Sequence, residues 1–288
     1  MTPARNGLHI DHSPSRIAIR RADQQQPLVV QHATPDARPF IHPLLAPDGN
    51  GTLTENAPAH HPWQHGLYVG LNDVGGVGFW SEGLTGNPTD GSFHPRPLAT
   101  PLVDGSRCRW TVISEWRSPT GSALLTETQA WTLHDHGTTY ELDLEWTLTA
   151  SVDLTFGQHA YGGLFVRMPF VSGGTVINSA GQQTPAGTEA QRARWVAIAM
   201  TIPDRLTERS AGVDGQFAGM AMMDHPSNPE HPVPWRVDGQ FGIAPSRCIA
   251  KPWSLIAGAS STARHRVFLH TGSTDVAAVE ASWLHFIR

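Results

Sequence analysis

Histidine is the residue that stands out: the chain carries sixteen, against three tyrosines and 20 lysines plus arginines. Three of them fall in the glycine-punctuated stretch 58–80, and two of these, His61 and His65, are four residues apart. A spacing of four puts them on one face of either a helical turn or a strand, where they could jointly grip a metal or a sugar. Glycines at 66, 70, 75, 76 and 78 allow tight turns and close backbone approach, Asp73 supplies a carboxylate, and His42 precedes the segment. A second stretch, 224–235, holds Asp224, His225, Asn228, His231 and Trp235 among prolines that fix an extended, rigid loop. A third, 156–169, enters a strand with His159 just before it and Arg167 within it.

Together these residue types suit a carbohydrate. Tryptophan offers a flat apolar platform, amides and carboxylates bind hydroxyls, and imidazole exchanges protons near neutral pH. On this reading His61, His65 and His159 carry protons, Asp73 and Asp224 orient them or act as bases, and His42, Arg167, His225, Asn228, His231 and Trp235 contact substrate. The leading expectation is an enzyme of carbohydrate catabolism with histidine and carboxylate acid–base chemistry on a sugar or oxidised sugar, epimerase-like or lyase-like. Two alternatives stay open: a non-catalytic sugar-binding protein, and a metal-dependent oxidoreductase with a metal on His61, His65 and a third group. Bland roles compete as well. A lone histidine commonly caps a turn, the 224–235 loop could be a stiff surface crossing, and Arg167 could pair with a carboxylate inside the protein.

Other chemistries lack their motifs. There is no Gly-x-Ser-x-Gly elbow, no Gly-x-x-x-x-Gly-Lys-Ser/Thr phosphate cradle, and no short Cys/His spacing for structural zinc. A formal charge of −5 without a basic run argues against nucleic acid. No stretch approaches the roughly 20 apolar residues of a membrane-spanning helix, and Met1–Arg21 has no apolar leader core, so the expected location is the cytoplasm. Cys108 and Cys248, far apart, are expected to be buried small hydrophobes without a role. Neither a cofactor nor an oligomeric state can be named from these residues.

The elements that must position these groups are strands. Tyr140, Leu142, Leu144, Trp146 and Leu148 alternate with polar residues, the mark of a strand packed on one side. A turn at 135–137 joins it to the run ending Trp131-Thr132-Leu133, and 107–117 alternates likewise, predicting a three-strand meander. Shorter strands are expected at 16–21, 163–168, 194–201, 219–223 and 265–270, and long loops at 201–218 and 224–240. A single C-terminal helix is expected, capped by Thr274 or Asp275, with Val276, Val279, Trp283, Phe286 and Ile287 as its apolar stripe. The fold class is therefore all-β, a large antiparallel β-sandwich with a short C-terminal helix, in one domain over 1–288.

The order of His42-Pro43, His61-Pro62 through Phe79-Trp80, Tyr161-Gly162-Gly163 through Pro169, Arg192-Ala193-Arg194-Trp195 and Asp224-His225-Pro226-Ser227-Asn228-Pro229 resembles the PmoA-like family over nearly the whole chain. Its most specific pieces are Gly66 through Trp80 and the loop from Asp224 to Trp235. Where many members read His-Pro-His-His-Arg-Gly, this chain reads His61-Pro62-Trp63-Gln64-His65-Gly66, a departure in the segment that would hold a family metal. The family's label implies a methane-oxygenase subunit. The resemblance also implies a soluble protein associated with sugar catabolism, built on a supersandwich similar to galactose mutarotases.

Overall fold

Period-two alternation builds the molecule. The computed structural model describes residues 7–206 and 214–288. Among these, an eleven-stranded and a nine-stranded sheet stack face to face. Every pairing between named strands is antiparallel. One side of the nine-stranded sheet is the expected meander, Arg107–Arg117, Ala123–Asp135 and Tyr140–Ala150. Tyr140, Leu142, Leu144, Trp146 and Leu148 all face the core between the sheets. Beyond it lie Ser260–Thr271, Phe217–Asp224, Trp195–Thr201 and Thr175–Asn178.

One inward-facing position of the meander is acidic. Glu127 is 1% exposed and accepts hydrogen bonds from Trp116 Nε1 (3.1 Å), Trp146 Nε1 (2.8 Å) and Gln129 Nε2 (3.0 Å). Burial pushes its carboxyl above the usual range, against the pull of these three donors. Indole N–H groups need acceptors when buried, so the glutamate satisfies two tryptophans that the core would otherwise strand.

The eleven-stranded sheet runs Leu8–Ser13, Arg16–Arg21, Val29–His32, Phe40–Leu44, Leu67–Val74, Gly163–Val166, Ile243–Pro245, Trp235–Val237. Its inner face gives Ile41, Leu67, Val69, Leu71, Leu164, Val166, Ile243, Trp235 and Val237 to the shared core. The alternate residues Tyr68, Phe165 and Ala244 form a separate apolar cluster with Trp80, flanked by Phe40, Trp63 and Tyr161. Phe40 pairs with Tyr68, Tyr68 with Phe165, and Ala244 with Arg236, so these side chains lie in one row across the outer face. Gly70 is part of this face. A Cβ there would stand 2.9 Å from Arg38 Nη1 and 3.0 Å from Trp80, so the close approach requires glycine.

The C-terminal helix, Val276–Phe286, is capped by Asp275, whose side chain accepts from Ala277 N and Ala278 N. Thr274, the alternative cap, has no hydroxyl partner among the described residues. Val279 and Trp283 pack on Trp195, Ala197, Ala221, Met223 and Phe268, the outer face of the nine-stranded sheet. Val276 does not join the stripe; it is exposed at the first helical turn. Of the two long loops expected, 201–218 already enters a strand at Phe217 and its residues 207–213 lie outside those described, while 224–240 contains the strand Trp235–Val237.

Candidate functional site: an aromatic cleft on the outer face

The outward row of the eleven-stranded sheet floors a cleft of about 280 Å³. Trp80 stands at its centre, 4.8 Å from the ring of Tyr161 and 5.5 Å from Phe165. Tyr68 lies beneath, 5.5 Å from Trp80 and 5.4 Å from Phe165, with the buried guanidinium of Arg38 over its ring at 4.4 Å. Polar groups make up the other wall: His60, His61, Gln64, Arg167, Arg236, Asp238 and Gln240.

Arg167 organises that wall. Its side chain is 2% exposed, and each of its nitrogens is committed: Nε to Gln64 Oε1 (2.5 Å), Nη1 to Gln240 Oε1 (2.5 Å) and Nη2 to Asp238 Oδ2 (2.6 Å). A guanidinium only donates, so both glutamines must turn their carbonyl oxygens to it, which leaves their NH2 groups as donors. Asp238 Oδ1 accepts from the backbone N–H of Gln240 and Gly242 at 2.9 Å each, which fixes the turn. His60 Nε2 also reaches Gln240 Oε1, at 2.8 Å.

His61 sits on a short turn in which its backbone N–H donates to the Pro58 carbonyl and its own carbonyl accepts from Gln64 N. Its ring meets His60 at 4.7 Å and Trp63 at 5.3 Å, both edge to face. Its Nδ1 has no hydrogen-bond partner among the described residues. Burial, with the positive charge of Arg167 and His60 adding to it, lowers the imidazole pKa from its ordinary value, and Asp238 opposes the shift. The neutral ring that this favours can take up a proton.

The structure distributes the other sequence candidates over several places. His65, though four residues from His61, belongs to a different cluster. Its Nδ1 meets Asn56 Oδ1 at 2.8 Å, its Nε2 meets Glu82 Oε2 at 3.0 Å, and its ring stacks on Phe40. Burial raises the carboxyl of Glu82, but the charge of Arg38 and the bond from His65 outweigh it and pull the pKa down to about 2. His42 belongs to the same cluster, bonded to Thr54 Oγ1 at 2.9 Å. Burial, with His32 and His65 nearby, pushes its pKa down to about 4. Asp73 closes a turn by accepting from Gly76 N. His159 reaches the cleft only through Tyr161, on whose ring its edge rests at 4.6 Å.

The 224–235 stretch does not open onto the cleft. Asp224 continues the inward-facing series Met220 and Met222, so it is buried at the end of its strand. There it accepts from His231 Nδ1 (2.7 Å), Asn228 Nδ2 (2.7 Å) and Val233 N (3.3 Å), with His265 3.9 Å away. A cavity of about 50 Å³ beside Asp224, Asn228 and His265 is too small for a sugar ring. His225 faces the opposite side of the molecule, its ring against Phe286 of the C-terminal helix. Trp235 is fully buried in the core and donates Nε1–H to the Ala193 carbonyl, so it offers a ligand no face.

Sequence reading passed over Arg236, Asp238 and Gln240. The signal was the alternation Trp235-Arg236-Val237-Asp238: if tryptophan and valine face the core, the arginine and aspartate face outward together. Metal binding on His61 and His65 finds no such geometry. Among the described residues no three His, Cys, Asp or Glu side chains are grouped to hold an ion.

Comparison with solved structures gives distant similarities. A galactose mutarotase related enzyme from Lactobacillus acidophilus is 8% identical with a TM-score of 0.36, over 93% of this chain and 99% of that one. An alpha-galactosidase from Geobacillus stearothermophilus is 10% identical with a TM-score of 0.42, over 92% of this chain and 41% of its own. One from Lactobacillus brevis is 12% identical with a TM-score of 0.38, over 92% and 40%. No curated protein matches. The PmoA-like identification is corrected: the family model that matches is described as one of unknown function, and among the described residues no helix is long and apolar enough to cross a membrane. That model covers residues 23–284, and the chain belongs to the family of unknown function DUF6807.

Proposed function

We propose that the outer-face cleft binds a sugar or oxidised sugar and that the chain is a carbohydrate-catabolism enzyme moving a proton on it, epimerase-like or lyase-like, with His61 as the proton carrier. The observation that carries this reading is one arrangement: an aromatic floor of Trp80, Tyr161 and Phe165 beside an arginine-ordered row of Gln64, Gln240 and Asp238, with His61 at its edge. Sugars present apolar C–H faces and hydroxyl edges, which match a ring platform flanked by fixed planar polar groups. A neutral imidazole at the cleft edge supplies the base through Nε2, since Nδ1 is buried without a partner, and His60 stands edge to face beside it.

A non-catalytic role is the second reading, favoured by Asp238, whose two oxygens are already engaged by Arg167 and the backbone. One experiment separates the two. A panel of aldoses, keto-sugars, glycosides and sugar acids is incubated with the protein in D2O and followed by proton NMR. Catalysis predicts loss of one carbon-bound proton signal or the growth of product. It also predicts that His61→Ala slows this by about 10²–10⁴, the usual contribution of a positioned acid–base group. Saturable binding without exchange or product points to the binding role, and neither binding nor turnover across the panel refutes the carbohydrate reading.

A further inference from the structure

The balance of donors and acceptors in the cleft carries a statement about its ligand, one that rests on the carbohydrate reading above. Asp238 is the carboxylate of this wall and Glu189 lies behind it on Arg236, and both are consumed by the protein. Asp238 accepts from Arg167 Nη2 and from two backbone N–H groups. Glu189, on the far side of Arg236, accepts from Arg236 Nη1 at 2.7 Å and from Val237 N at 2.5 Å. Apart from the His61 imidazole, the unfilled groups are donors. Gln64 and Gln240 each have an NH2 turned from the arginine that holds their oxygens. Arg236, whose guanidinium lies 5.8 Å from the Tyr161 ring centroid, uses only Nη1 and keeps Nε and Nη2 for a ligand.

A neutral sugar hydroxyl is best held by a group that accepts its proton as well as one that donates. A wall of donors whose acceptors, the His61 imidazole apart, are already occupied instead fits a ligand rich in acceptors. We infer that the cleft takes a sugar acid, a carbohydrate bearing a carboxylate, with that carboxylate on Arg236 and the amides of Gln240 and Gln64 and its ring on the aromatic floor. Guanidinium pairs with carboxylate in a two-pronged geometry that an alcohol cannot reproduce.

The test is calorimetric titration of the full chain with matched ligands: galactose, glucose and mannose, their uronic acids, and the uronamides, which keep the shape and lose the charge. At least one acid is expected to bind about tenfold or more tightly than its parent and its amide, the scale of one charge-assisted contact. The acid-over-parent ratio should fall by about the same factor in Arg236→Gln, and again in Gln240→Glu, which sets a like charge against the ligand. Thermal melting checks that each variant is folded, and the second substitution keeps the test standing if the first unfolds. Parents binding as well as their acids would overturn the inference and leave the carbohydrate reading in place. A ratio unchanged in both variants would overturn the assignment to these donors. No binding by any sugar, charged or neutral, would remove the carbohydrate reading and the inference with it.

Discussion

His61 combines three properties seldom found together: a position in a cleft, an unbonded ring nitrogen, and surroundings that disfavour its charged form. The pH dependence follows from the third. With its pKa below 6.5, His61 is neutral and able to accept a proton at neutral pH, and kcat/KM should fall as pH drops below 6.5 through the lowered value. In His61→Gln that acid limb should disappear along with most of the rate. Arg167 behaves differently, since its three side-chain nitrogens are spent on Gln64, Gln240 and Asp238 and it fixes the directions of those groups. Arg167→Ala strands the Asp238 carboxylate, and a loss of about 3–5 kcal/mol is expected in chemical denaturation, the usual penalty for breaking a buried pair. Both residues stood out in the sequence, one in a histidine cluster and one as a charge inside an apolar run. Asp238 and Gln240 did not, because nothing in their neighbourhood shows that a strand 70 residues earlier ends beside them.

Alternation was the most readable feature of the elements. Arg107–Arg117 and Tyr140–Ala150 are long enough for period two to stand out, and the C-terminal helix was plain from its apolar spacing and a cap at Thr274 or Asp275. The strand Trp235–Val237 is three residues long and lies in a proline-rich stretch, so its alternation is a faint signal, and Trp235 passed for a ligand platform when it is core. Between the long strands the Glu127 ladder makes a sharp prediction. Glu127→Ala would orphan two indole N–H groups and an amide, costing about 3–5 kcal/mol by urea unfolding, since each unsatisfied buried group costs about 1–3 kcal/mol. The histidine cluster beside Phe40–Leu44 predicts a pH effect on stability. His42 has a folded pKa of about 4 against 6.5, so the unfolded chain binds more protons between those values. Its contribution is present above pH 6.5 and is lost as pH falls toward 4. The melting temperature should decline over that window, and less steeply in His42→Asn.

Across the whole molecule the two outer faces are used differently. The nine-stranded sheet is covered by the C-terminal helix through Val279 and Trp283, with Glu280 holding Arg194 and the Trp195 indole. The eleven-stranded sheet carries the cleft over its buried aromatic row. The antiparallel sandwich was legible from composition and period. The assignment of each histidine to a face was not, because face depends on the register of strands distant in sequence. His61 and His225 consequently lie on opposite sides, although both stood in histidine-rich motifs. That division supplies the most direct test of where ligand binds. Saturation-transfer NMR with the sugar and sugar-acid panel should show saturable binding to the wild-type chain, lost in the cleft double variant His61→Ala/Gln240→Ala and retained in His225→Ala. Binding that survives in the cleft variant, or that disappears with His225, would contradict the account.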